Sequence, residues 1–136
     1  MKGLDSMIRL QKWQVDEKRR QLADLEAMRA DLVRRREGLR SEIAREQGAA
    51  DAQVIQFAFA AYVRDSLVRL ETLRESIEEV DRAIEAMQEE LADAFRALKK
   101  YEVAEARHAA RAQEEANRRD QMATDEMALN MFRQQG

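Results

Sequence analysis

The chain has 136 residues, no proline and four glycines; 38% of its residues are charged, 5% are aromatic, and the net charge is -3. Proline and glycine are the main helix breakers, so this composition favours long helices and argues against a compact core rich in aromatic side chains. The negative charge excludes nucleic-acid binding by bulk electrostatics, and the absence of cysteine excludes disulfides and thiol chemistry.

The N-terminal residues lack the apolar stretch of a signal peptide, and no segment approaches the roughly 20 apolar residues of a membrane span. The sequence therefore predicts a soluble cytoplasmic protein.

The first predicted element is a helical arm over residues 3–47. Stepping alternately by four and three residues from Leu4 traces a coiled-coil seam, meaning the row of positions that faces a partner helix. Eight of its twelve positions are aliphatic. The seam consists of Leu4, Ile8, Gln11, Val15, Lys18, Leu22, Leu25, Arg29, Leu32, Arg36, Leu39 and Ile43.

The periodicity stops after this arm. Gly48 is suited to end a helix, and Asp51 is suited to cap the next one. We therefore expect a turn at residues 48–52.

The second predicted arm covers residues 53–101, and its seam has a single polar member, Ser66. The two seams each span about 40 residues, or ~60 Å of helix, which favours an antiparallel hairpin. The second seam consists of Phe59, Val63, Ser66, Leu70, Leu73, Ile77, Val80, Ile84, Met87, Leu91, Ala94, Leu98 and Tyr101.

The charges of the two arms favour the same pairing. Residues 1–50 carry twelve Lys and Arg against nine Asp and Glu, whereas residues 51–104 carry seven against twelve. Arms of opposite sign attract each other, while a parallel self-dimer would place like charges together. We expect an all-α, two-helix antiparallel coiled-coil hairpin that is a monomer when free and forms one domain over residues 1–136.

After Tyr101 the seam positions become polar, although residues 102–119 remain rich in helix-forming Ala, Glu and Arg. We expect the second helix to extend beyond the first as a single helix and tail over residues 102–136. Its last part regains apolar residues, which would invite a partner if exposed. These residues are Met122, Met127, Leu129, Met131 and Phe132.

Chemical sites are poorly supported. Glu105 and His108 have the Glu-x-x-His spacing of di-iron bundles, but such a site needs two of these motifs and the chain has one histidine. The basic run 34–36 has acidic neighbours and no interleaved aromatics, which favours a solvated face or an acidic protein surface over nucleic acid. We expect no enzyme activity, cofactor, metal or small-molecule substrate.

Each aromatic residue outside the seams has two possible roles. Phe57 and Tyr62, near the expected turn, either cap the hairpin tip beside Phe59 or contact a partner. Trp13 is either an exposed anchor or packs on the second helix after Leu98.

Three sequence features together resemble the FliJ family of the flagellar type III export apparatus. The first arm carries Leu4, Ile8-Arg9-Leu10, Val15 and Glu17 before its seam, and the second begins with Tyr62-Val63 followed by Leu70 and Ile77. The third and most specific feature is the C-terminal run with Asp120-Gln121 and Asp125-Glu126-Met127-Ala128.

This resemblance implies a non-enzymatic, two-helix stalk whose extended end enters the pore of the hexameric export ATPase and promotes ring assembly. It also implies contact with the export gate protein, escort of substrate-specific export chaperones, and peripheral association with the inner membrane.

The resemblance and the exposed-residue arguments together give two expected surfaces. The ATPase-facing surface would combine residues from both chain ends, namely Leu4, Ile8, Trp13, Asp120, Asp125, Glu126 and Phe132. The gate-facing surface would contain Phe57, Tyr62 and Ser66. The alternatives are a generic coiled-coil adaptor, such as a homodimeric spacer, and the equivalent stalk of an injection-type secretion system.

Overall fold

The computed structural model describes residues 2–49 and 53–135, with side chains described for all of these except 53–56. Two helices account for the described residues: α1, Lys2–Ala49, and α2, Gln53–Gln135. They pack against each other, which confirms the predicted all-α helical hairpin. The absence of proline allows α2 to continue through 83 residues without an interruption.

Helix α1 is longer than expected at its C-terminal end. It continues to Ala49 and includes Gly48, whose φ angle is not positive, so Gly48 is not the left-handed terminating residue that the sequence predicted. Helical propensity in the preceding turn, which includes Arg45 and Glu46, carries the helix through this glycine. The expected cap Asp51 and the rest of the expected turn, residues 50–52, lie outside the described residues.

The chain divides into two compact units, Val15–Asp93 and Met1–Gln14 with Ala94–Gly136. In the first unit, Lys18 pairs with Glu90 and Arg29 pairs with Asp81. As the residue number rises along α1, the partner's number falls along α2, so the helices of this unit are antiparallel. The single domain expected over residues 1–136 stays a prediction.

The predicted seams form the contact between the helices. Of all their positions, Arg29 alone is exposed; the others are buried or half-buried. The buried apolar residues are few, because each helix has only one neighbour to pack against. They are Ile8, Val15, Ile77 and Val80.

In the unit formed by the two ends of the chain, the packed part stops at Ala104. Val103 and Ala104 are the last half-buried residues of α2, and every residue from 105 to 135 is exposed. Side-chain pairs four residues apart stabilise this solvated helix, since neighbours on one helix face add a few tenths of a kcal/mol each. Arg119 bonds Glu115 at 2.8 Å, and Gln113 bonds Asn117 at 3.0 Å.

Candidate functional site

The most exposed apolar surface of the end unit is the C-terminal segment, residues 120–132. All five large apolar side chains predicted there are at least half exposed, Phe132 to 76%. The local backbone is a regular helix: Thr124 donates to the Asp120 carbonyl oxygen at 2.9 Å, and Gln121 donates to Asp125 at 3.0 Å. This segment is therefore an ordered helix without an intramolecular partner, which is typical of an interaction surface.

The apolar side chains of this segment lie on two sides of the helix. At about 100° per residue, Met122, Leu129 and Phe132 fall within about 80° of one another. Met127 and Met131 point to the opposite side, about 40° apart. All three expected acidic residues are exposed: Asp125 lies on the side of the first group, Asp120 on the side of the two methionines, and Glu126 between the two sides.

The structure does not bring the two halves of the expected ATPase-facing surface together. Asp120 lies sixteen residues beyond Ala104, roughly 24 Å along the helix axis. At the N-terminal end, Ile8 is buried and Leu4 is half-buried against the second helix, so both support packing. Trp13 is 56% exposed, which favours the reading of an exposed anchor over packing after Leu98.

The expected gate-facing residues separate in the same way. Phe57 is 78% exposed, whereas Ser66 is fully buried in the seam and Tyr62 is half-buried. The Tyr62 ring lies 6.4 Å from that of Phe59, centroid to centroid, and both rings line a cavity of about 210 Å³ with Glu46 and Ala58. Ser66 is therefore a packing residue and not a contact surface in this conformation.

Two buried hydroxyl groups lie one helical turn apart at this position. Tyr62 Oη and Ser66 Oγ are inaccessible to solvent and have no hydrogen-bond partner of acceptable geometry among the described residues. Burial raises the pKa of Tyr62; the nearby Ser66 hydroxyl lowers it, and the carboxylates of Glu42 and Glu46 raise it further. The site therefore favours the neutral phenol.

An exposed apolar strip near the N-terminal end of α2 was missed by the sequence reasoning. Leu67 is 55% and Val68 is 66% exposed, and both share a helix face with Phe57. A signal was present, because Phe57, Ala60, Arg64 and Leu67 follow a second spacing of three and four residues beside the seam. We call this surface the α2 strip, consisting of Phe57, Ala60, Ala61, Arg64, Leu67 and Val68.

The charged groups of the Val15–Asp93 unit form bridges between and along the helices. Asp81 accepts from Arg29 and raises the pKa of that guanidinium, first through the hydrogen bond and then through its charge. Arg74 lies between Glu71 and Glu78 on α2, and its hydrogen bond to Glu71 lowers the pKa of that carboxyl. These pairs are exposed and lie on regular helix faces, which is the arrangement of structural ion pairs.

Metal sites and membrane spans were also considered. Among the described residues, no group of three or more His, Asp or Glu side chains is placed to hold a metal ion. No helix in the described part of the chain is long and apolar enough to cross a membrane.

The sequence comparison identifies the family. A family model described as "FliJ: Flagellar FliJ protein" matches residues 2–136. The chain belongs to the FliJ family. FliJ proteins are non-catalytic components of the flagellar export apparatus, so this chain is a component of that protein-transport system. No curated protein and no solved structure matches it.

Proposed function

We propose that this FliJ-family chain is the central stalk of the flagellar export ATPase and promotes assembly of the ATPase ring. The observation that carries the proposal is the exposed single helix of residues 105–135, whose end bears apolar side chains on two sides. The proposed role is non-enzymatic, as the family relationship suggests.

The two-sided arrangement of the C-terminal segment supports a surrounding partner. A helix that lies on a flat surface buries one apolar stripe and leaves the other side to water. A partner that covered both Met122, Leu129 and Phe132 on one side and Met127 and Met131 on the other would have to surround the helix. The pore of a ring of subunits meets this requirement, and flexible methionine side chains adapt to its wall.

Binding to the purified export ATPase tests this proposal. Replacing Met122, Leu129 and Phe132 by serine should weaken binding, and so should replacing Met127 and Met131 by serine. The matched control is Arg111→Ser, which alters an exposed residue of the same single helix outside the segment. If only one of the two apolar groups affects binding and ring assembly, the segment lies on a surface and the pore proposal is wrong.

We further propose that the α2 strip contacts the membrane export gate protein, whereas half-buried Tyr62, about 140° from Phe57 around α2, lies off this contact face. Phe57 supplies an exposed aromatic anchor, and Leu67 and Val68 extend the apolar contact along the same face. Fully desolvated aromatic side chains contribute strongly at protein interfaces. Ser66 is buried in the seam and would not contact the gate protein directly.

A pair of matched variants separates this contact from the ATPase contact. Phe57→Ser together with Val68→Ser should abolish binding to the soluble domain of the gate protein and leave ATPase binding intact. The C-terminal serine variants should show the reverse pattern. Loss of both activities in every variant would instead indicate a general folding defect, which circular dichroism would reveal.

Escort of substrate-specific export chaperones and peripheral association with the inner membrane are proposed on the family relationship alone. Complexes of the purified chain with individual export chaperones, detected by size-exclusion chromatography with light scattering, test the first. Fractionation of cells with and without the gate protein tests the second, since the account predicts that the membrane-bound fraction depends on the gate.

A further inference from the structure

A second type of interaction surface lies in the middle of the Val15–Asp93 unit. A groove of about 410 Å³ opens between the helices. Its apolar floor is formed by Leu25, Met28 and Leu32 of α1 with Val80 and Ala83 of α2, and Ser76 completes it. It belongs neither to the C-terminal segment nor to the α2 strip.

Met28 distinguishes this groove from ordinary seam packing. It lies off the predicted seam, between Leu25 and Arg29, and is 52% exposed. Leu25 and Leu32 beside it are half-buried, as most seam residues are. On this side the helix pair leaves a row of apolar groups open, Leu25, Met28 and Leu32, at positions i, i+3 and i+7 of α1, and the apolar face of an amphipathic helix can cover such a row.

The rim of the groove is acidic. Glu79 lines it from α2, and Asp24 lies one helical turn before Met28 on α1. Within the described part of the chain, neither carboxylate has a basic side chain at ion-pair distance, whereas Asp31 pairs with Arg34 and Arg35. Glu79 and Asp81 point about 160° apart on α2, so the Arg29–Asp81 bridge lies at the opposite edge, and Glu79 is the one charged side chain among the described residues that line the groove.

We propose that this groove binds an amphipathic α-helix of another protein, with apolar residues on one face and Lys or Arg along its flanks. The apolar face would cover Met28 and its neighbours, and the basic flanks would face Glu79 and Asp24. Opposite charges at the rim fix the orientation of the bound helix and increase its rate of association.

The C-terminal segment of a second copy is a poorer occupant. That segment is apolar and helical, but residues 120–132 contain Asp120, Asp125 and Glu126 and no Lys or Arg. These carboxylates would meet the acidic rim of the groove. The charge pattern therefore selects a basic partner helix over self-association through the tail.

The proposal is tested with a synthetic 18-residue helical peptide that has leucines on one face and lysines on the flanks, together with a control peptide carrying glutamates in place of the lysines. The full chain, with methyl-labelled methionines, is titrated with each peptide. The Met28 methyl signal, assigned from its loss in Met28→Leu, should shift with the lysine peptide. The signals of Met122, Met127 and Met131 should stay in place.

Variants of the rim and the floor give the affinity readout. Glu79→Lys and Met28→Glu should each weaken binding of the lysine peptide at least tenfold, and Glu79→Lys should gain binding of the glutamate peptide. Glu85→Lys is the matched control, since Glu85 is exposed and faces away from the groove. Both target side chains are exposed, so helicity should be unchanged.

Three results would overturn the proposal. One is the absence of binding at millimolar peptide, and another is an equal effect of Glu79→Lys and Glu85→Lys. The third is a shift of the C-terminal methionine signals in place of Met28, which would assign the binding to the C-terminal segment.

Discussion

Arg29 of α1 and Asp81 of α2 join the two helices through a two-pronged contact. Arg29 Nε donates to Asp81 Oδ1 at 2.5 Å and Nη2 donates to Oδ2 at 3.5 Å, across 52 positions of sequence. The pair fixes which residues of the two helices lie side by side. It also explains the only exposed position of the seams, because Arg29 leaves the seam to reach a carboxylate at its edge.

Charge reversal of this pair tests the antiparallel alignment. Arg29→Asp and Asp81→Arg should each lower the thermal midpoint, because each places like charges opposite each other. The double variant should recover part of the loss, since it restores opposite charges. Midpoints are measured by circular dichroism at low and at high salt, and the recovery should shrink at high salt. If the thermal midpoint of the double variant falls by the sum of the two single-variant decreases, the pairing is contradicted.

Gly38→Ala should stabilise the hairpin. Gly38 lies within α1, is exposed, and has no atom within 4 Å of the position that a Cβ would take. Glycine loses more conformational entropy on folding than any other residue. Replacing Gly38 by alanine reduces this loss, so the free energy of unfolding should rise by about 0.5–1 kcal/mol. Urea titration measures the change. Gly3→Ala, in the first turn where the helix frays, is the control and should have a smaller effect.

The buried seam residues should respond in opposite directions. Ile77 is 5% exposed, and Ile77→Ala should lower the free energy of unfolding by about 2–5 kcal/mol through lost burial and the cavity it leaves. Ser66→Ala removes a buried hydroxyl without a partner and should raise it by about 1 kcal/mol. A destabilising Ser66→Ala would show that this hydroxyl is hydrogen-bonded in solution.

The titration of Tyr62 should be displaced to high pH. Burial raises its folded-state pKa above the unfolded value, so its contribution to stability is fully present below about pH 10 and is lost as the pH rises through the folded pKa. In Tyr101→Phe, Tyr62 is the single tyrosine, and its ultraviolet phenolate signal reports this pKa directly. A folded-state pKa equal to that measured in denaturant would show that the hydroxyl is solvated.

The sequence was sufficient to predict the elements and their contact. The spacing from Leu4 to Ile43 and from Phe59 to Tyr101 identified the residues between the helices, because a coiled coil is specified by local periodicity. The end of α1 was less predictable. Glycine commonly terminates helices, yet α1 continues through Gly48 to Ala49.

The surfaces were harder to predict than the fold. The exposed C-terminal segment followed from the failure of the seam after Tyr101. The burial of Ile8 and Ser66 agrees with their seam positions, whereas the expected partner surfaces had included both residues, because a family resemblance says nothing about how exposed a side chain is. The open groove beside Met28 and the α2 strip depend on how deeply two helices of these side-chain sizes cover each other, which periodicity alone does not determine.

We propose that the exposed end of α2 drives assembly of the export ATPase ring. The most direct measurement is the ATP hydrolysis rate and hexamer fraction of the purified flagellar export ATPase with the full chain and with a chain truncated after Arg119. We expect the full chain to raise both at micromolar concentration, and the truncated chain to raise neither while it keeps the thermal midpoint of the helix pair. Equal stimulation by the two chains, or no stimulation by either, would contradict it.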